Sequence, residues 1–122
     1  VRQLSNGFTR PVHEFNKNYY VIAKKGDTFR SLAEELNMSR RTLARINERD
    51  KNDTLEEGEY VWLKKKRRKA PRDYKHYEHT VAVGESMYTI AQRYGIRLKN
   101  LYKINDLSPD YVIKVGDKLK VR

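Results

Sequence analysis

The sequence of this 122-residue chain repeats itself at a spacing of 58 residues, and no other feature constrains the fold as strongly. Residues 20–63 align with residues 78–121 without a gap. The identities include the glycine pair Gly26 and Gly84, and many of the other matches exchange one apolar residue for another. The apolar periodicity therefore keeps its register, which predicts two copies of one small supersecondary unit.

Each copy has the pattern strand, helix, helix, strand. In the first copy, the β-branched and aromatic residues 20–23 predict a strand that ends at Gly26. Asp27 or Thr28 then offers a side-chain oxygen suited to capping the next helix. From Phe29 onward, apolar residues recur at i, i+3, i+4 and i+7, which predicts one buried helical face.

The second helix of each copy carries further expectations. Ser39 is a good N-cap in the first copy, whereas Arg97 stands at the matching position of the second, so we expect that helix to begin less regularly. Asn47 stands where a helix C-terminus needs a residue tolerant of left-handed geometry, and Asn105 repeats it. The alternating residues 60–63 predict the closing strand of the first copy.

The net charge of +11 divides the chain further. Residues 64–80 alone carry eight bases and two acids, a net charge of +6. A like-charge run followed by Pro cannot bury itself, so we interpret it as a linker. Turn residues before the first copy predict a β-hairpin, and residues 1–11 read as an irregular tail. The predicted divisions are a tail with a hairpin strand, a first unit, a basic linker and a second unit, at 1–18, 19–64, 65–76 and 77–122.

Several classes of protein are excluded or disfavoured. No apolar run approaches the roughly 18–20 residues of a membrane helix, and the absence of Cys excludes disulfides and thiolate metal sites. His76 and His79 have metal-like spacing, but zinc needs three or four ligands, so we predict no metal and no cofactor. No nucleophile elbow or pocketed acid is recognisable, so we do not expect an enzyme.

The motif residues around the repeated glycines and asparagines resemble LysM domains. The segments that carry the resemblance are 21–33, 43–47, 57–61, 79–91, 101–105 and 115–119. The pair is similar to the LysM tail that follows the catalytic domain in some bacterial peptidoglycan N-acetylglucosaminidases. This implies an α+β fold of two βααβ modules joined by a basic linker. It also implies non-catalytic binding of N-acetylglucosamine glycans, peptidoglycan or chitin-like oligomers, at the cell envelope, periplasmic or secreted.

The resemblance places a glycan groove between the first strand–helix turn and the loop before the closing strand. In the first copy residues 26–29 face residues 49–55, and in the second residues 84–87 face residues 107–113. Glycine lets a sugar approach the backbone, and free amides at a helix N-terminus can donate to an N-acetyl carbonyl. The predicted glycan-binding residues are Gly84, Glu85, Ser86, Tyr88, Leu107, Tyr111, Ile113, Gly26, Asp27, Thr28 and Leu55.

Alternatives remain open at this stage. The glycines are also turn formers, and Thr28 and Ser86 are also helix caps. The loop after Asn47 is highly charged while its counterpart is apolar, so we expect the second copy to be the better binder. Nucleic-acid binding through the basic run and its tyrosines is the rival function. We disfavour it because the charge lies between the folded copies. We favour a monomer and, since the chain starts at Val1, a fragment of a longer protein that carries a catalytic domain.

Overall fold

A computed structural model describes residues 10–122. The chain divides into two compact units, and the boundary falls between Lys66 and Arg67. Both units show the predicted order of strand, helix, helix and strand. The elements of the first unit are β1 His13–Phe15, β2 Asn18–Ile22, α1 Phe29–Leu36, α2 Arg40–Ile46 and β3 Tyr60–Trp62. Those of the second are β4 Glu78–Thr80, α3 Met87–Tyr94, α4 Leu98–Ile104 and β5 Lys118–Lys120, after a single 3₁₀ turn at Arg72–Tyr74.

The first unit has a three-stranded antiparallel sheet in the order β1-β2-β3. Asn16 and Lys17 form the β1–β2 turn with φ of 54° and 55°. Positive φ at both central residues is typical of the type I′ turn, whose twist matches that of the strands it joins. The predicted N-terminal hairpin is thus confirmed.

Part of the predicted tail is packed against the first unit. Residues 1–9 of that tail lie outside the described residues, but Arg10 is only 4% exposed. Its guanidinium bonds the carboxylates of Asp27 and Glu35, each at 2.8 Å. Arg10 and Pro11 belong to no helix or strand, as expected for an irregular segment, but Arg10 is buried because two carboxylates of the unit compensate the burial of its charge.

The first helix of each unit buries the predicted face. Four residues of α1 and their four counterparts in α3 are buried: Phe29, Leu32, Ala33, Leu36, Met87, Ile90, Ala91 and Tyr94. Thr28 caps α1 and Ser86 caps α3, each in a reciprocal capping box with the residue three positions on. Of the two candidate caps, Thr28 rather than Asp27 fills the role. Arg97 makes no side-chain cap to α4, as predicted.

The geometry predicted for the repeated asparagines is wrong. Asn47 and Asn105 have φ of −96° and −99°, outside the left-handed region. The left-handed residues are the next ones, Glu48 and Asp106, with φ of 58° and 53°.

The asparagine side chains instead tie the second helix to the closing strand. The Asn47 amide nitrogen donates to the carbonyls of Leu43 and Trp62 at 2.9 Å, and its oxygen accepts from the Trp62 amide at 2.7 Å. Asn105 makes the same two-way contact with the Lys120 backbone. The requirement at this position is therefore a primary amide, which offers both a donor and an acceptor.

The basic segment between the copies is anchored. Lys66 is 2% exposed and its ammonium pairs with the Glu48 carboxylate. Ala70 is fully buried, and its amide donates to the Val121 carbonyl at 2.8 Å. The expectation that this run cannot bury itself therefore fails at Lys66, because a long apolar stem and an acidic partner make burial of one lysine tolerable.

Candidate functional site

A tight turn between the first strand and the first helix forms one wall of each predicted groove. Gly26 and Gly84 adopt φ of +88° and +84°, a conformation that side chains disfavour. A Cβ would meet no atom within 4 Å at either glycine, so the backbone conformation, not lack of space, requires glycine there.

A carboxylate closes each turn. The Asp27 carboxylate accepts from the Lys24 amide at 2.7 Å, and the Glu85 carboxylate accepts from the Ala82 amide at 2.7 Å. Burial alone would raise the pKa of Asp27, but the hydrogen bonds from Arg10 and the Lys24 amide hold that pKa below its usual range. The two predicted acids thus support their turns, and a glycan contact by either one stays a prediction.

The second unit replaces the arginine partner of this acid with a histidine. His79 is buried; its Nε2 lies 2.9 Å from Glu85, and its Nδ1 lies 2.7 Å from the Tyr94 hydroxyl. Burial opposes ionisation of Glu85, but the Ala82 amide and His79 outweigh it and keep its pKa low. His79 thus has two side-chain partners inside its own unit.

In the first unit, the loop at residues 49–55 that forms the second wall of the predicted groove is held by an arginine. Arg49 donates from Nε to Asp53 and from Nη1 to Glu59, both at 2.9 Å, and from Nη2 to the Thr54 carbonyl at 3.0 Å. Its guanidinium also lies 5.7 Å from the centre of the Phe29 ring. This loop is therefore organised by charge around one side chain.

The two walls of the first unit are joined to each other. Thr28 and Thr54 form an antiparallel bridge, and the Leu55 amide donates to the Asp27 carbonyl at 3.1 Å. Leu55 is 7% exposed. The structure thus brings together the predicted residues Asp27, Thr28 and Leu55, but their backbones pair with each other across the two walls and the apolar side chain is buried.

The second unit has no such bridge among its described residues. No backbone pairing is present there between the counterparts Ser86 and Val112. The loop is held at its end instead, where the Tyr111 hydroxyl donates to Asp117 at 2.9 Å. That hydrogen bond raises the pKa of the Tyr111 phenol. Tyr111 is 40% exposed, and the other predicted apolar residues of this site, Tyr88, Leu107 and Ile113, are half-buried.

Three exposed valines in the turns and loop of the second site are not among the predicted glycan-binding residues. They are Val83, Val112 and Val115, exposed to 85%, 77% and 64%. The first unit has Lys25, Thr54 and Glu57 at the matching positions. The repeat alignment contains this signal, because only one copy places apolar residues at all three positions. Exposed apolar residues clustered in neighbouring turns are typical of a binding surface.

Two negative findings apply to residues 10–122. No group of three or more His, Asp or Glu side chains is arranged to hold a metal ion there. In the same part of the chain, each helix is too short or too polar to cross a bilayer.

Comparison with known proteins identifies relatives of both units. The chain is 42% identical over 43 residues to the uncharacterized lipoprotein YgeR of Escherichia coli strain K12, which covers 35% of this chain and 17% of that protein. It is similar to the spore cortex-lytic enzymes SleL of Bacillus cereus (27% identity, TM-score 0.37) and Bacillus megaterium (17%, 0.34). Each alignment covers 84% of this chain and 22% of the enzyme.

The chain thus spans less than a quarter of the length of each of these relatives. The LysM domain profile matches twice, at residues 21–64 and 79–122, which together make up most of the chain. The chain therefore belongs to the LysM family and carries two LysM domains.

Proposed function

We propose that this chain is a non-catalytic anchor that binds N-acetylglucosamine-containing glycan, mainly through the groove of its second unit. LysM domains are binding modules for peptidoglycan and related glycans. The observation that carries the proposal is the difference between the grooves. The Thr28–Thr54 bridge joins the two walls of the first, while the second shows no such bridge among its described residues and has exposed valines in its turns and loop.

The chemistry of the ligand explains why this difference matters. A glycan of this kind offers hydroxyls, N-acetyl amides and apolar C–H faces, without charge on the sugar. Binding therefore favours apolar surface beside backbone donors that are not already paired, because desolvating charged side chains costs free energy. The second unit supplies the apolar part of this combination, with Leu107 and Tyr111 in its loop and Val112 exposed beside them.

The first unit adds to binding because it lies on the same chain as the second. Two modules on one chain make the second contact intramolecular, and avidity rises by roughly 10² to 10⁴ when both modules reach the ligand. A repeating polymer can contact both modules at once, so avidity rises even if one module binds weakly. We infer that the pair serves to hold an attached catalytic domain on the bacterial cell wall. The relative YgeR is a lipoprotein, which supports a place in the cell envelope.

Co-sedimentation with purified, polymer-stripped peptidoglycan tests the proposal. The chain should sediment with the insoluble wall and be released by soluble chitin oligomers. Tyr111→Ala should sediment less, while Asp53→Ala, its matched control at the same repeat position, should sediment like the wild type. Failure of the wild type to sediment, or release by salt but not by chitin oligomers, would overturn the proposal.

A further inference from the structure

The excess charge of the second unit is concentrated around two cavities. Residues 67–122 carry thirteen Lys and Arg against six Asp and Glu, a net charge of +7, whereas residues 1–66 carry fourteen against ten, a net charge of +4. The cavities lie outside the predicted glycan groove, because none of residues 84–87 or 107–113 lines either one.

The larger cavity has a volume of about 740 Å³. Its basic lining residues are Lys69, Arg72, Lys75, His76, Lys120 and Arg122. Glu78 is the one carboxylate among the side chains that line it, and Tyr77 is its aromatic residue. So strong an imbalance of charge in a concave surface concentrates the field and favours an anionic ligand.

The smaller cavity, of about 450 Å³, is lined by two residues that each have a buried polar atom without a hydrogen-bond partner in the described part of the chain. It is lined by Arg97, Asn100, Lys99, Lys103 and two residues of the basic segment. The Nε of Arg97 and the Oδ1 of Asn100 are buried and have no hydrogen-bond partner among the described residues. Buried polar groups are normally satisfied, so the unpaired donor and the unpaired acceptor on two residues that line this basic cavity are open to a polar partner.

Lys69 lines both cavities, so the two are neighbours, and their lining residues are together called the basic face of the second unit. We propose that this face of the second unit binds a phosphodiester-linked polyol, whose phosphates lie along the cations and whose hydroxyl donates to Asn100. Arginine is well suited to phosphate oxygens through its planar fork of donors, and Arg97 Nε supplies the unpaired donor.

The composition of the face favours such a polymer over a single-stranded nucleic acid. Single-stranded nucleic acids are held by successive aromatic rings on which bases stack. Here Tyr77 is the one aromatic residue lining either cavity, and its ring packs edge-on against Tyr74 at 5.3 Å. Charge is repeated along the face and stacking surface is not, which matches recognition through phosphates and hydroxyls rather than through bases. The earlier objection, that the charge lies between the units, does not hold for these cations, because they line one face of the second unit.

Fluorescence anisotropy with the full chain tests this site. The probe is a labelled poly(glycerol phosphate) oligomer, with DNA and RNA oligomers of equal phosphate number as the other arms. The wild type should bind the polyol phosphate more tightly than either nucleic acid at 50 mM salt. Lys99→Gln with Lys103→Gln should weaken binding about tenfold and lower the log–log salt slope by about one to two. Asn100→Leu should weaken it about threefold at an unchanged slope.

The repeat supplies a matched control. Arg41 and Arg45 occupy the positions of Lys99 and Lys103 in the first unit. Arg41→Gln with Arg45→Gln removes the same charge and should change affinity less than twofold. Equal losses in both pairs, tighter binding of DNA or RNA, or no binding of the polyol phosphate would each overturn the proposal. Binding of a neutral chitin oligomer should be unaffected by Lys99→Gln with Lys103→Gln, so this site and the proposed glycan groove fail or succeed separately.

Discussion

The two units share one backbone plan but differ in how they use the same groove. In the first, the turn after β2 and the loop before β3 pair through Thr28 and Thr54. In the second, the described residues show no such pairing, and Val112 at the position of Thr54 is 77% exposed. One scaffold therefore allows two arrangements of the same walls. A few loop residues decide whether the two walls pair with each other.

The two loops also differ in the side-chain contact that ties each of them to the turn before its closing strand. Glu59 and Asp117 occupy equivalent positions in the turn before the closing strand. Arg49 binds Glu59 with an ion pair, whereas the Tyr111 hydroxyl binds Asp117. Leu107 stands where the first unit has Arg49. The first copy thus pairs its charged loop residues with one another, whereas the second copy has aromatic and aliphatic residues in the same loop.

The largest expected effect tests whether the asparagine tether is equally important in the two units. Asn47 is 1% exposed and Asn105 is half-buried. Asn47→Ala should lower the free energy of unfolding of the first unit by about 3 kcal/mol, because it leaves the buried Trp62 amide and carbonyl unpaired. Trp62 is the chain's one tryptophan, so its fluorescence reports this unit alone.

Asn105→Ala is the companion variant. It should destabilise the second unit by about 1 to 2 kcal/mol, because water can partly replace the lost bonds at a half-buried site. Amide hydrogen exchange of the second unit measures this loss. A larger loss of unfolding free energy for Asn105→Ala than for Asn47→Ala would contradict the expectation that the tether matters more in the first unit.

The next effect concerns Arg10, the partner of Asp27 in the first unit. Arg10→Met should destabilise that unit by about 2 kcal/mol, because Asp27 and Glu35 lose a buried partner. The pKa of Asp27 is lowered in the fold, so its ionisation contributes stability above its unfolded pKa of about 3.8, and this is lost as pH falls.

Acid titration followed by Trp62 fluorescence therefore sharpens the contrast. The wild type should lose stability steeply below about pH 4, and Arg10→Met should flatten that dependence. Glu34→Gln, which removes an exposed i,i+4 partner of Arg30, is the control and should change neither property much. An unaltered acid profile in Arg10→Met would show that Arg10 does not hold the Asp27 pKa down.

A charge placed on the exposed valine should separate the two grooves. Val112→Asp should weaken binding of a chitin oligomer about tenfold, because the carboxylate must be desolvated beside an uncharged sugar. Thr54→Asp makes the same change in the first unit and should weaken binding less than twofold. Isothermal titration measures both, and the reverse order would assign the ligand to the first unit.

A smaller effect is expected for the loop tyrosine. Tyr111→Ala should weaken chitin-oligomer binding about fivefold, since aromatic contacts contribute on the order of 1 kcal/mol. Asp53→Ala should leave affinity unchanged. Equal losses would show that the binding unit has been chosen wrongly.

The smallest effect distinguishes the groove from the basic face of the same unit. Between about 50 and 200 mM salt, affinity for a neutral chitin oligomer should change less than twofold, while polyol-phosphate affinity should fall steeply. A steep salt dependence for the neutral ligand would mean that charge, not apolar surface, holds the glycan.

Much of the fold was predictable because its signals are local and occur twice. The apolar spacing from Phe29 and the cap at Thr28 depend on residues within one turn of helix, and both were confirmed. The role of Asn47 was not predictable, since its partner Trp62 lies 15 residues away. The burial of Arg10 and Lys66 also depends on distant acids, and nothing in a basic run marks one lysine as buried.

The site was predictable only in part for the same physical reason. The repeat places the turn at Gly84 opposite the loop around Tyr111 without any knowledge of packing. It does not reveal that Glu85 is held by His79, or that Thr28 pairs with Thr54. Those contacts decide which donors remain available to a ligand, and they exist only once the two walls have folded together.

An amide-resolved NMR titration of the whole chain with a chitin oligomer tests the central claim most directly. The account predicts that resonances of residues 84–88 and 107–113 shift progressively, while those of residues 26–29 and 49–55 shift much less. Shifts confined to the first unit, or no shift in either groove, would contradict it.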